Sequence, residues 1–305
     1  MICGMKTESL KDITRFGIGG KSEIVYAKNE KDLVGCAKKM STEGRQFFVL
    51  GGGTNVIAHD GGYAGTVIAV RTNSIAQKRN RVRVDAGVLL EALINKANKE
   101  GLSGLEALAG IPGTVGGALY GNAGAYGHEI QEVVERVRVF DGVRIRALSR
   151  KECGFGYRES IFKKKKWIIL SATLIFKKDS ADDLKKISRR IRTIRNKKYP
   201  QQLRCAGSIF KNIIAKSKNG RIASRQIPKE KIAHGKIPAG VLLEAVGAKG
   251  MKRGKIQVAD YHANLIINTG GGSANDVRYI INTLKKRVYR VYGVMLEEEI
   301  RYLGF

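Results

Sequence analysis

Apolar positions recur along the chain in two periods, and the period separates strands from helices. Ser22 to Ala27 and Phe47 to Leu50 read as strands. Between them Leu33, Cys36, Ala37 and Met40 fall at helical spacing, on a helix that starts at Asn29 or Glu30. With Thr66 to Val70 as a further strand, this is a small β-α-β lobe. Val82 and Val84 alternate in a half-buried strand from Arg81, ended by Asp85-Ala86-Gly87. Leu90, Leu93, Ile94 and Ala97 stripe a helix over Leu89 to Glu100, stopped by Gly101. Val137 to Phe140 and Val143 to Arg146 flank Asp141-Gly142 and predict a tight hairpin, because Asp-Gly supplies the positive φ angles of a two-residue turn. Trp167 to Phe176 reads as a long buried strand.

Ser180 and Asp183 form a capping box before Leu184, Ile187, Ile191 and Ile194, which predicts a cationic connector helix up to Tyr199-Pro200. Beyond it come a short helix over Val241 to Val246 and a buried strand over Ala263 to Asn268. A last helix, capped by Ser273 and Asp276, carries Val277, Ile280, Ile281, Leu284, Val288 and Val291, and a final strand runs from Val294 to Leu303. The pattern predicts an α+β protein in three parts: one α/β lobe over 1–66, a second over 67–200 that includes the connector, and a C-terminal α+β domain over 201–305.

Two glycine stretches interrupt this pattern. From Gly104 to Gly127 glycine is too dense for a packed helix or strand, while Ile111, Val115 and Leu119 keep the segment apolar. Gly110, Gly113, Gly116 and Gly117 let successive N–H groups turn toward one point, the geometry that holds phosphate oxygens. A closely packed glycine-rich turn is the alternative. Upstream, Gly51-Gly52-Gly53-Thr54-Asn55 follows the strand Phe47 to Leu50, and a strand emptying into a glycine turn is where α/β proteins hold ligand phosphates. The spacing G-x-G-x-x-G is missing, so this is not the dinucleotide fingerprint. Two turns suggest one extended, diphosphate-bridged nucleotide gripped from both sides.

Composition narrows the setting. The chain has 305 residues, 43% of them hydrophobic, enough for real cores. No basic segment leads into an apolar stretch at the N-terminus and no run approaches a membrane span, so a cytoplasmic protein is expected. Cys3, Cys36, Cys153 and Cys205 are scattered without C-x-x-C spacing, which speaks for reduced structural thiols and against a metal site. Lys and Arg number 56 against 27 Asp and Glu, a net charge of +29. That excess suits anionic partners, but it is spread over Lys163 to Lys166, Arg189 to Lys198, Lys249 to Lys255 and Lys285 to Arg287 without aromatic interleaving, and no nucleic-acid-binding motif is present. A solvated basic surface is the expectation, and no nucleic-acid partner is expected.

Three polar constellations carry candidate chemistry. Tyr157-Arg158-Glu159-Ser160 follows Gly154-Phe155-Gly156, so Arg158 sits on a tight segment where its planar fork grips a carboxylate or satisfies loop carbonyls. Ser208 follows Gly207 with no His-Asp set beside it, which makes it a proton donor or a binding group rather than an acyl-transfer nucleophile. In Glu297-Glu298-Glu299, strand alternation sets Glu298 on one face and Glu297 with Glu299 on the other, as in a charged edge strand.

Seven motifs in collinear order resemble the UDP-N-acetylenolpyruvoylglucosamine reductase family. They are Thr14 to Gly20, Val49 to Asn55, Gly104 to Tyr126, Gly156 to Ser160, Gly207 to Asn212, His262 to Asn268 and Gly293 to Arg301. The resemblance implies the FAD-binding fold of the vanillyl-alcohol oxidase and p-cresol methylhydroxylase type, with a C-terminal substrate-binding domain. It implies reduction of UDP-N-acetylglucosamine enolpyruvate to UDP-N-acetylmuramate by NADPH through FAD, for peptidoglycan, in a monomer. It also implies Ser208 as proton donor and Arg158 with Glu299 as the pair polarising the substrate carboxylate. FAD is expected on Gly51, Gly52, Gly53, Thr54, Asn55, Gly110, Pro112, Gly113, Thr114, Gly116, Gly117, Asn122 and Ala123. The short interval from Arg158 to Ser208 resembles the shorter subclass of the family, which lacks an extra substrate-capping loop.

Overall fold

The computed structural model describes residues 4–200 and 202–305; Cys3, and residue 201 where the sequence begins the C-terminal domain, lie outside them. The chain divides into two compact units. The first holds the residues up to Glu8, Ser22–Gly53 and Ala64–Lys197, and the second holds Ser9–Lys21, Thr54–Tyr63 and Lys198–Phe305.

Two sheets frame the first unit. In one, the strand order is Lys6–Ser9, Lys21–Ala27, Tyr63–Val70, Phe47–Leu50, with Phe47 to Leu50 running parallel to Thr66 to Ala69. The helix Glu30–Thr42 buries Leu33, Cys36, Ala37 and Met40, and Asn29 caps it by accepting the Asp32 N–H at 2.9 Å. The second sheet is antiparallel, in the order Ile145–Ser149, Val134–Phe140, Ile168–Ile175, Arg81–Asp85, Ile75–Lys78. Leu90–Lys99 covers it with Leu90, Leu93, Ile94 and Ala97 in a core shared with Val84, Val137 and Leu174. Each fully buried Leu, Ile or Val side chain among them contributes about 1.5–3 kcal/mol.

Three sequence expectations need correction here. The hairpin loop spans Asp141 to Arg144, not two residues, because Phe140 pairs with Ile145; the Asp141 carboxylate organises it by accepting the Val143 and Arg144 N–H groups. The connector helix Ala181–Lys198 buries Leu184 and Ser188, while Ile187 and Ile194 are exposed, and Ser188 Oγ takes a 2.7 Å bond from Asn98. Glycine density does not exclude a helix: Val115–Gly121 is one, and its N-cap Thr114 accepts the Gly117 N–H.

The second unit is built on the antiparallel order Cys205–Ser208, Leu265–Asn268, Ile256–Val258, Lys252–Arg253. Ala274–Tyr292 is its long helix, capped by Ser273 on the Asp276 N–H and ended by Gly293 in the left-handed region; Val277, Ile280, Ile281, Leu284 and Val288 are buried, whereas Val291 is exposed. The closing strand is shorter than its pattern suggests. Only Arg301–Leu303 forms a ladder, parallel to Val56–Ala58, and the preceding stretch makes a single bridge between Glu298 and Phe210.

Candidate active site

In the first unit the two glycine turns meet. A Cβ on Gly52 would lie 2.9 Å from Gly113 Cα, so the backbones pack closely and the first turn has no room for a side chain at that point. The amides of Gly52 and Gly53 donate to no acceptor among the described residues. Other amides in the cradle are spent internally: Gly110 N–H on the Glu91 carboxylate at 2.7 Å, Gly116 N–H on Ala86 O at 2.8 Å, and Gly117 N–H on Thr114 Oγ1 at 3.3 Å. They do not converge on one point as the spacing suggests. Thr114 is buried, Pro112 is exposed and Ala123 is half-buried. Asn122 ends the glycine-rich helix with φ of 43°, and its fully buried amide donates to Glu129 at 2.7 Å and to Gly156 O at 2.9 Å. Asn122 thereby ties the glycine segment to the turn that carries Arg158.

That turn is closed by reciprocal 3.0 Å bonds between the backbones of Gly156 and Glu159. Arg158 occupies its tip with φ of 55°, donates from Nη2 to Gly124 O at 2.9 Å and lies 5.4 Å over the Tyr157 ring. One role left open by the sequence, satisfying a loop carbonyl, is thus observed.

In the second unit, the segments that carry Ser208 and Glu299 lie side by side. The Glu299 N–H donates to Ile209 O at 2.7 Å, setting Glu299 beside the residue that follows Ser208, and Asn55 Nδ2 donates to Glu299 O at 3.0 Å. Thr54 and Asn55 are both half-buried and belong to this unit. The neighbouring glutamates are engaged elsewhere: Glu297 pairs with the buried Lys211, and Glu298 binds Lys285 Nζ at 2.9 Å and the Tyr302 hydroxyl. Burial, then the bond to Glu298, pushes the Tyr302 hydroxyl far above the ordinary phenol range. Arg158 belongs to the first unit, and Ser208 and Glu299 to the second.

Ser208 has partners that the sequence did not reveal. Tyr199 Oη lies 3.0 Å from Ser208 Oγ and 3.5 Å from His262 Nε2. No spacing rule connects Tyr199 with a histidine 63 positions away.

Residues 199–303 match the family model of the UDP-N-acetylenolpyruvoylglucosamine reductase C-terminal domain, and residues 22–143 match that of an FAD binding domain. The UDP-N-acetylenolpyruvoylglucosamine reductase of Solibacter usitatus is 45% identical over 95% of this chain and 94% of its own length. The chain belongs to the UDP-N-acetylenolpyruvoylglucosamine reductase family. The Carboxydothermus hydrogenoformans reductase is 36% identical over 98% of the chain and 94% of its own length. A crystal structure of the Thermus caldophilus reductase covers 98% of this chain and 100% of its own, with a TM-score of 0.78 and 29% identity. As a member of this reductase family the chain is an FAD-dependent oxidoreductase with NADPH as hydride donor, on an α+β FAD-binding fold with a C-terminal α+β domain. The cradle fits that cofactor: side-chain-free backbone and uncommitted N–H donors at Gly52 and Gly53 are what a diphosphate needs. Among the described residues no helix is long and apolar enough to cross a membrane, and no cluster of His, Cys, Asp or Glu could hold a metal ion.

Proposed function

We propose that this chain reduces UDP-N-acetylglucosamine enolpyruvate to UDP-N-acetylmuramate for peptidoglycan precursor synthesis, with Ser208, Arg158 and Glu299 as its catalytic residues. The observation that carries the reading is the 2.7 Å backbone bond from Glu299 to Ile209, which joins the segments of the candidate proton donor and the candidate carboxylate partner. FAD, once bound and charged by NADPH, would supply the hydride for the terminal enolpyruvyl carbon. Hydride addition drives negative charge into the carboxylate-bearing end of the substrate. Arg158 presents a permanent positive charge to that carboxylate as the charge grows, and Glu299 holds a hydrogen bond on the same group. Ser208 gives its hydroxyl proton to the adjacent carbon, a weak acid acting on a strongly basic centre. Gly51 to Gly53 and Gly113 with Thr114 hold the diphosphate of the cofactor.

Two half-reactions test this. Ser208→Ala should retain bound flavin and bleach with NADPH at the wild-type rate under anaerobic conditions, while reoxidation by the enolpyruvyl substrate falls roughly 10²- to 10⁴-fold. Reoxidation at the wild-type rate would remove Ser208 from the chemistry, and a protein that takes up no FAD would sink the whole reading.

A further inference from the structure

The partners of Ser208 form a chain of contacts that runs from Asn264 through His262 and Tyr199. Asn264 is buried, and its side chain clamps Phe210 through bonds of 2.9 Å and 2.8 Å to the Phe210 N–H and C=O. Its backbone N–H, held by this clamp, donates to His262 Nδ1 at 3.3 Å. Nδ1 is therefore an acceptor, and the proton of the neutral imidazole sits on Nε2. Burial, reinforced by the charge of Lys198, holds His262 below its ordinary pKa, so the ring is neutral at pH 7. A hydrogen bond between the ring and its own backbone opposes this, Lys249 acts in the same sense as Lys198, and Glu244 opposes it. Nε2–H points at Tyr199 Oη over 3.5 Å, the long end of a hydrogen bond, with the rings 5.6 Å apart. When that oxygen accepts from His262, the Tyr199 phenol is within reach to donate to Ser208 Oγ, 3.0 Å away. In that arrangement the proton of Ser208 is directed away from Tyr199.

We propose that Tyr199, oriented by His262, is the proton reservoir of Ser208: as Ser208 releases its proton, the Tyr199 phenol replaces it. The inference rests on the reading of Ser208 as proton donor. In the step, the Ser208 O–H bond breaks as the new C–H bond forms on the carboxylate-bearing carbon. The Tyr199 O–H bond breaks as a new O–H forms on Ser208, and the phenolate then takes a proton from solvent. No electrons move in the relay, and the product gains one proton. A phenol, ordinarily near pKa 10, is a far stronger acid than an alkyl alcohol, so transfer to a serine alkoxide is downhill. The phenolate forms within reach of the His262 Nε2–H and near the Lys198 charge, with Tyr261 as the other titratable ring close by. Tyr199 and His262 are positioning residues, acting on substrate only through Ser208.

The experiment uses the flavin-loaded enzyme. Flavin is reduced anaerobically with NADPH and reoxidised with the enolpyruvyl substrate in mixtures of H₂O and D₂O. Two protons in flight give a bowed proton inventory in the wild type. Tyr199→Phe keeps the ring and is expected to leave bleaching by NADPH and the substrate KM unchanged. It should slow reoxidation roughly tenfold or more and straighten the inventory. In the Ser208→Ala background the same change should cost nothing further. His262→Gln, which retains an N–H donor near the Nε2 position, is expected to keep most of the rate, and His262→Leu to lose it. A linear inventory in the wild type, or reoxidation at the wild-type rate in Tyr199→Phe while Ser208→Ala is dead, overturns the relay alone. Wild-type reoxidation in Ser208→Ala overturns the relay together with the reading beneath it.

Discussion

Arg158 shows at the scale of one residue how a closed turn shapes a backbone. Its φ of 55° is left-handed, a conformation that costs a side-chain-bearing residue about 1–2 kcal/mol, and the reciprocal bonds of Gly156 and Glu159 hold it there. Comparing Arg158→Gly with Arg158→Ala isolates that cost, since both lose the bond to Gly124 and the stacking on Tyr157. Glycine's greater freedom in the unfolded chain returns part of the difference, leaving about 1 kcal/mol in favour of Arg158→Gly. That variant should melt about 1–2 °C above Arg158→Ala, with both inactive; equal melting temperatures would mean that the turn stores no strain. The glycine border made this tight segment legible in the sequence. The left-handed angle was not, because arginine carries no such preference and the angle is imposed by the closed turn around it.

Elements repeat the lesson with the sign reversed. Glycine-rich Val115–Gly121 argues against a helix on propensity, at about 1 kcal/mol for each interior glycine. The helix forms because Thr114 caps it and because Gly116 packs where a Cβ would come within 2.9 Å of the Ala86 Cβ; the glycines that weaken the helix let it approach its neighbour. Such close approach is invisible to periodicity, which reads side chains and not their absence. The strands and long helices were legible for the opposite reason, since Leu33, Cys36, Ala37 and Met40 or Val277, Ile280, Ile281 and Leu284 bury what they display. The contact between the glycine turns gives a prediction at this scale. Gly52→Ala forces a methyl against Gly113 Cα, an overpacking cost of about 1–3 kcal/mol that falls on the cofactor cradle. FAD should bind roughly 5- to 100-fold more weakly, measured by fluorescence titration of the apoprotein. Gly35→Ala, in a helix with nothing within 4 Å of the added methyl, should leave the affinity unchanged. Undiminished affinity in Gly52→Ala would mean the turns separate freely.

Across the whole molecule, what escaped the sequence is long-range pairing. Phe16, Ile18 and Ile57 join the core of the C-terminal residues, and Asn268 Nδ2 reaches Phe16 O at 3.1 Å, so two early segments complete the second unit. Parallel pairing of Arg301–Leu303 with Val56–Ala58 leaves no turn signal, whereas the antiparallel neighbours Val134–Phe140 and Ile145–Ser149 announce themselves through the Asp141 loop. The Ser208, Tyr199, His262 and Asn264 network depends on the same kind of closure, and it makes the stability of the whole chain sensitive to mild acid. His262 has a folded-state pKa lowered by burial and by Lys198 and Lys249, against a hydrogen bond to its own backbone and the Glu244 charge, while the unfolded chain returns it to about 6.5. As pH falls below about 6.5 the unfolded state takes up the proton first, so it binds more protons than the folded state, and stability is lost until the folded ring also protonates. The melting temperature of the wild type should therefore drop more steeply between pH 7.5 and 5 than that of His262→Gln, whose amide does not titrate. Parallel curves for the two proteins would show that the imidazole charges without cost in the folded state.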